Sequence, residues 1–364
     1  MSEWKVENIA ALANGKKAKN ISQAALYPIY GGNGIMGYTN SYNASNVVII
    51  GRVGAYCGSV HYSKEKCWIS DNAISAMAKD NNSTEYLYYL LTSLNLNRHH
   101  IGGAQPLMTQ GIINNIDIPK HSNSEQKKIA DILTSLDEKI ETNRKINTRL
   151  EELAQVIFKS WFIDFEPFGG KMPADWELNS LSGIANYLNG LAMQKYPPIN
   201  NHDKLPVLKI KELGEGRIND NSDFCSKANI GSDYIIENGD IIFSWSGTLL
   251  VKIWTGGKCG LNQHLFKVTS NQYPKWFYYF WTLHHNEEFK RIAKDKAVTM
   301  GHIKREELDK ALVSVPQLDI LHRISSIMDP IFNQLISTNL ESARLSALRD
   351  TLLPKLMSSE LIPE

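Results

Sequence analysis

The places where this 364-residue sequence comes nearest to catalytic chemistry each lack a part that the chemistry needs. Methylation of an adenine amino group uses an Asn/Asp/Ser-Pro-Pro-aromatic tetrad, and Tyr196-Pro197-Pro198-Ile199 lacks both flanking requirements. A phosphate-cradling GxxxxGK[ST] loop fails twice over, because Cys259 follows Gly257-Lys258 and Lys252 stands where the first glycine belongs. Asp137-Glu138-Lys139 has nuclease-like residue types, but Leu136 and Ile140 beside it predict a charged, solvated helix face. His284-His285 with Glu287 lacks metal-ligand spacing. Cys57, Cys67, Cys225 and Cys259 are too scattered for a zinc knuckle or a CxxC pair. The expectation is a chain with no catalytic residue, no metal and no bound cofactor of its own.

The elements that carry these residues repeat. Trp4-Lys5-Val6 resembles Trp176-Glu177-Leu178, with Ile9 and Ala13 falling on Leu181 and Ala185. Tyr27-Pro28-Ile29 resembles Leu205-Pro206-Val207, and Val48-Ile49-Ile50 with Gly54 resembles Ile241-Ile242-Phe243 with Gly247. Lys66-Cys67 falls on Lys258-Cys259, Leu87–Leu90 on Phe277–Phe280, and Ile118-Pro119 on Val315-Pro316. The order is collinear, which is the mark of a tandem duplication. Each copy opens with a mixed part: β-rich runs such as Val47–Ile50 and Asp240–Phe243, and one helix near Glu85–Leu94 or Pro274–Leu283.

Each copy then closes with a long helix. The first is expected to start near Ser124 as N-cap. It sets Ile129, Ile132, Leu133, Leu136, Ile140, Leu150, Leu153 and Ile157 on one stripe. Ile324, Ile327, Met328, Ile331, Leu335, Leu345, Leu348 and Leu352 repeat the stripe in the second copy, which contains Pro330 as a candidate kink. From Ser124 to Trp161 such a helix spans about 57 Å. Rods of this length need a partner along the stripe, and each is the other's obvious one. Mid-stripe, Asn143 and Asn147 face Thr338 and Ser342 in the alignment. This polar waist either penalises slipped registers or sits at a solvent-facing twist. Antiparallel pairing would set the two mixed domains at opposite ends, related by a pseudo-twofold axis. The fold class expected is therefore α+β, with two mixed domains and a pair of helical spacers packed as an antiparallel coiled coil. The boundaries drawn are 1–121, 122–165, 166–314 and 315–364.

Bulk properties agree with this division. Net charge is +1 overall. Lys and Arg outnumber Asp and Glu by 10 to 7 in residues 1–121 and by 18 to 16 in 171–314. In 122–170 and 315–364 the acidic residues lead, by 9 to 7 and by 6 to 4. No run approaches a membrane span. The first residues lack the basic and apolar regions of a secretion signal, so the expected compartment is the cytoplasm, with its thiols reduced.

At this point the sequence resembles the specificity subunits of type I restriction–modification systems, over essentially its whole length. The resemblance lies in Ser2-Glu3-Trp4-Lys5 and Met172-Pro173-Ala174-Asp175-Trp176-Glu177 opening the two domains, and in Tyr27–Ile35. It extends to Ile118-Pro119 with Glu125–Leu133 leading into the first long helix, and to Leu352–Met357. Gln317-Leu318-Asp319-Ile320 departs from the Glu-Gln-Lys-Lys pattern of the first copy. What the resemblance implies is that each mixed domain reads half of a split, asymmetric duplex DNA target. The helices would dock two modification subunits that methylate adenine with S-adenosylmethionine, and two ATP- and Mg-dependent restriction subunits would complete the nuclease. A related bipartite system cutting on both sides of its site, or a non-catalytic protein scaffold, are the alternatives.

The residue types that touch phosphates and base edges then mark candidates. In the first domain these are Tyr30, Gly31, Gly32 and Asn33, then Arg52, Lys64 and Lys66, then Arg98, His99, Gln105 and Thr109. In the second they are Lys209, Lys211, Ser244, Trp245, Ser246, Asn262, Gln263 and His264, with Lys294, Lys296, Thr299 and His302. Trp245 and Trp254 have core packing as their other reading. Phe158, Trp161 and Phe162 are expected to face outward, toward a partner's helices.

Overall fold

The computed structural model describes residues 4–19, 21–103, 105–219, 221–295 and 303–361. It divides the chain into two compact units, Met1–Lys139 with Leu345–Glu364, and Ile140–Arg344.

The first unit is built around the strand Val47–Gly51, which is buried on both faces, as an unbroken apolar run must be. Val48 and Ile50 face the core beneath the helix Thr84–Ser93, while Val47 and Ile49 face a second cluster with Cys67 and Ile69. Its antiparallel sheet runs, in order, Ala10–Asn14, Ala73–Ala78, Val47–Gly51 and Val60–Ser63. A smaller sheet joins Gly34–Thr39, Tyr27–Gly31 and Trp68–Ile69.

The second unit repeats this topology. Asn186–Asn189, Leu265–Thr269, Ile241–Ser244 and Val251–Ile253 form the corresponding sheet in the same order. Phe224–Ser226, Lys204–Leu208 and Cys259–Leu261 form the smaller one, with Ile235–Ile236 added at its edge. Register confirms most of the sequence matches. Val48 pairs with Ala76 as Ile241 pairs with Val268, and Ile29 with Trp68 as Val207 with Gly260. The opening match is corrected by three residues. Leu12 pairs with Ala76 as Tyr187 pairs with Val268, so Trp4 corresponds to Asn179 and not to Trp176, and the Trp4–Ile118 and Asn179–Val313 pairs then put Ile118 on Val313 rather than on Val315. Val6–Ile9 and Leu181–Ile184 are the equivalent helical turns. Trp176 is instead a buried core residue against Phe162, Phe165 and Phe168.

The long helices run Asn123–Phe162 and Leu318–Met357, each 40 residues. Ser122, not Ser124, caps the first: its hydroxyl accepts from Glu125 N–H at 3.3 Å, while Glu125 accepts from Ser122 N–H at 2.7 Å. The second passes Pro330 without interruption, although proline leaves the Ser326 carbonyl without its usual donor.

In each unit the two helices run antiparallel. Within the first, Ile129 and Leu133 share a core with Leu356 and Met357, and Asp137 meets Arg349. Within the second, Asn143 donates to Glu341 at 2.8 Å, Asn147 donates to Asn339 at 2.7 Å, and Phe158 and Phe162 share a core with Leu321 and Ile324. Asn143 and Thr338 are only 1% and 3% exposed. The polar waist therefore faces the helix seam rather than solvent.

Expectations about four side chains change here. Phe158 and Phe162 do not face outward: they are buried against Phe280, Trp281, Phe277 and Trp276 of their own unit. Trp161 is part-buried against Phe168. Burying each of these phenyl groups contributes about 1.5–3 kcal/mol, which no partner needs to supply. Of the charged triplet, Glu138 is solvated, but Asp137 is part-buried and accepts from Tyr89 as well as Arg349. His285 is buried and bonded through Nε2 to the Leu312 carbonyl at 2.9 Å. Among the described residues no helix is long and apolar enough to cross a membrane, and all four cysteines are buried and unpaired.

Candidate nucleic-acid interface

In the first unit three loops meet at one end of the central strand. Arg52 follows that strand, donates its N–H to the Asn72 carbonyl at 2.9 Å and accepts from Met108 N–H at 2.8 Å. The Gly31–Gly34 hairpin turn is the third element, with the Gly32 carbonyl accepting from Ser59 Oγ and lying 3.2 Å from His61 Nε2. Glycine is required beside it. A Cβ on Gly51 would lie 2.1 Å from the Tyr56 carbonyl oxygen and 3.1 Å from Gly32 Cα. The Ile101–Leu107 and Val53–Leu107 bridges seat the loop that carries Gln105 against the same end. Arg98 and His99, both exposed, end a helical turn packed on Gly58.

Other candidates of this unit are drawn elsewhere. Lys64 and Lys66 lie at the opposite end of the Val47–Gly51/Val60–Ser63 hairpin, Lys64 near Glu85 and Lys66 at 4.5 Å over the Tyr42 ring. Thr109 is taken up as a helix cap, its hydroxyl accepting from Ile112 N–H at 3.3 Å. Tyr30 packs into the second core cluster, and burial pushes its hydroxyl pKa up.

The second unit has the same convergence with different side chains. Trp245 occupies the frame of Arg52, donating its N–H to the His264 carbonyl at 3.4 Å and accepting from Ile303 N–H at 3.1 Å. Its indole donates to Asn189 Oδ1 at 3.0 Å and leans on His264 and Phe266, so it is half scaffold and half surface. Trp254, by contrast, is a core residue. Ser244 is fully buried and turns back to the Ser246 carbonyl. Asn262 is buried too, and its side-chain oxygen accepts from His264 N–H at 3.3 Å to shape the turn.

Lys209, Lys211, Asn262, Gln263 and His264 line one cleft of about 780 Å³. Gln194, Asp223 and Phe224 line it as well, and none of the sequence matches between the two copies falls on them. Lys209 is ion-paired to Asp223. His264 Nδ1 is buried without a hydrogen-bond partner among the described residues. Lys294 is exposed near the end of the helix Lys275–Asp295. Lys296, Thr299 and His302 lie outside the described residues.

Two mixed units of one topology, each packed with antiparallel segments of the two long helices, define a duplicated module. The family model for the type I restriction modification DNA specificity domain matches residues 1–152 and again 173–345. The chain belongs to that family: it is a type I restriction–modification specificity subunit. It is 28% identical over 326 residues to the MjaIX specificity subunit of Methanocaldococcus jannaschii, covering 84% of this chain and 75% of that one. It is 22% identical to the HindI specificity subunit of Haemophilus influenzae, covering 77% and 75%. The type I S subunit structure from M. genitalium shares the fold, with a TM-score of 0.62 at 18% identity over 100% of this chain and 96% of that one.

Proposed function

We propose that each unit reads one half of a split, asymmetric DNA target, and that the chain itself performs no catalysis. Its role is to address two modification subunits, and through them two restriction subunits, to that target in the cytoplasm. Methylation of adenine N6 with S-adenosylmethionine, and cleavage with ATP and Mg, belong to those partners in this reading.

The observation that carries the proposal is the contrast between frame and side chain. Strand order, register and the hydrogen bonds around Arg52 and Trp245 repeat, while the polar residues on the converging loops differ. A shared scaffold with divergent loops suits two different half-sites. Phosphate contacts position such a domain, and base contacts specify its sequence. Arg52, Arg98, Gln105, Lys211, Gln263 and Lys294, exposed or part-exposed, are among the candidates for those contacts.

The test is a selection of bound duplexes from a randomised pool by the chain assembled with its modification subunits. Two short sequence elements at fixed separation are expected, and lengthening the separation by one base pair should lower affinity by about tenfold or more. A single contiguous element, or indifference to separation, contradicts the reading.

A further inference from the structure

We propose that Arg52 is the residue with which the first unit identifies a guanine in its half of the target. The assignment rests on the reading of each unit as a DNA-recognition domain.

The backbone of Arg52 is fixed on both sides. It leaves a strand in which every residue is buried, and its N–H and carbonyl are tied to Asn72 and Met108, one on each neighbouring loop. A side chain that must find one base edge needs a root of this kind, because positional error at the root is carried to the tip.

Its guanidinium is not spent on the fold. One nitrogen lies 3.5 Å from the Asp71 carbonyl, the outer limit of a hydrogen bond. Among the described residues no carboxylate forms an ion pair with it. Arg349 of the same unit shows the alternative: its nitrogens lie 2.7 Å from Asp137 and 2.8 Å from Asp350. An arginine kept for structure is paired in that way, whereas Arg52 holds its planar fork of donors in reserve at the meeting point of three loops.

The exchange of Arg52 for Trp245 decides between phosphate and base. The sugar-phosphate backbone is chemically the same in both half-sites, so an anchor for it has no reason to change from cation to indole between copies. A residue that reads bases does. Of the base edges in the major groove, guanine O6 and N7 offer two acceptors side by side, which match two guanidinium donors. Adenine presents a donor at the corresponding position and does not.

The experiment uses the chain assembled with its modification subunits and duplexes selected from a randomised pool. Wild type is expected to select a two-part consensus with a guanine in one part. Arg52→Ala should select the same consensus except that this one guanine becomes degenerate, with affinity for the full site falling about 10- to 100-fold. Arg52→Lys keeps the charge and loses the fork, and should show the same degeneracy with a smaller loss on random DNA. Replacing that guanine by 7-deazaguanine should weaken wild type and leave Arg52→Ala unaffected. An unchanged consensus in both variants overturns the assignment. So does an equal loss on every duplex with a shallower salt dependence, which marks a phosphate contact. A wild-type complex that selects no two-part consensus defeats the recognition reading itself, and this assignment with it.

Discussion

Arg349 donates to Asp137 at 2.7 Å, and the same carboxylate accepts from the Tyr89 hydroxyl at 2.7 Å. Three elements of the first unit are thereby tied at one point: the helix Thr84–Ser93 and both long helices. Burial pushes the Tyr89 hydroxyl pKa up, so it remains a donor to the carboxylate. Removing one member strands the others in a part-buried site. Asp137→Ala is expected to destabilise the chain by about 1–3 kcal/mol, below the full cost of breaking a buried pair because both partners keep some solvent contact. Asp137→Asn should cost less, since it retains an acceptor for Tyr89. Thermal melts of the two variants beside wild type check the order, and equal melting temperatures for all three would remove the tie from the account.

The seam of the second unit carries a polar cost. Asn143 is 1% exposed, and its side-chain oxygen has no partner among the described residues. Asn143→Leu should therefore raise the melting temperature, by an amount equivalent to about 1 kcal/mol. The same change removes the donor that Glu341 meets only in this register. A cysteine pair introduced at Asn147 and Asn339 reports register through oxidation yield. The yield is expected to fall in the Asn143→Leu background, and an unchanged yield would show that asparagine does not set it.

His121 is expected to make stability pH-dependent. Its Nδ1 lies 2.7 Å from the Tyr86 hydroxyl and its Nε2 2.9 Å from Ser359 Oγ, joining the C-terminal segment to the first unit. Burial holds its pKa below the ordinary imidazole value, against a smaller opposite effect of Glu125. A base whose pKa is depressed by folding contributes stability that is complete above about pH 6.5 and lost as pH falls through the folded value. The melting temperature should accordingly drop between pH 7.5 and 5. His121→Gln should flatten part of that drop. The remainder belongs to His284 and His285, both held low first of all by burial.

Gly51→Ala tests the close approach behind the loop convergence. Its Cβ would meet backbone at 2.1 Å, so the Tyr56 turn must shift. Loss of about 2 kcal/mol or more is expected, with weakened DNA binding. Gly103→Ala, where a Cβ meets nothing within 4 Å, is the control and should melt like wild type.

Arg98→Ala tests the loop itself. The side chain is exposed and ends a helical turn, so folding should be unaffected. DNA affinity is expected to fall several-fold at low salt and less at high salt, as removal of one phosphate contact requires. Equal binding across a salt series would take Arg98 out of the interface.

Periodicity alone determined the long helices, because a stripe of eight apolar positions repeated at one offset has no other regular solution. It determined the duplication too, since strand cores such as Val48–Ile50 and Ile241–Phe243 tolerate only apolar residues and so keep their resemblance. The direction in which a side chain leaves a helix was not legible in the same way. Phe158 and Phe162 read as outward until the helix Lys275–Asp295 is seen to pack over them. Nor did spacing show that Lys64 and Arg52 stand at opposite ends of one hairpin, or that Asn72, Arg52 and Met108 meet. Local pattern follows from interactions within a few residues along the chain. The proposed reading face is made by loops far apart in sequence, and only long-range strand pairing sets them side by side.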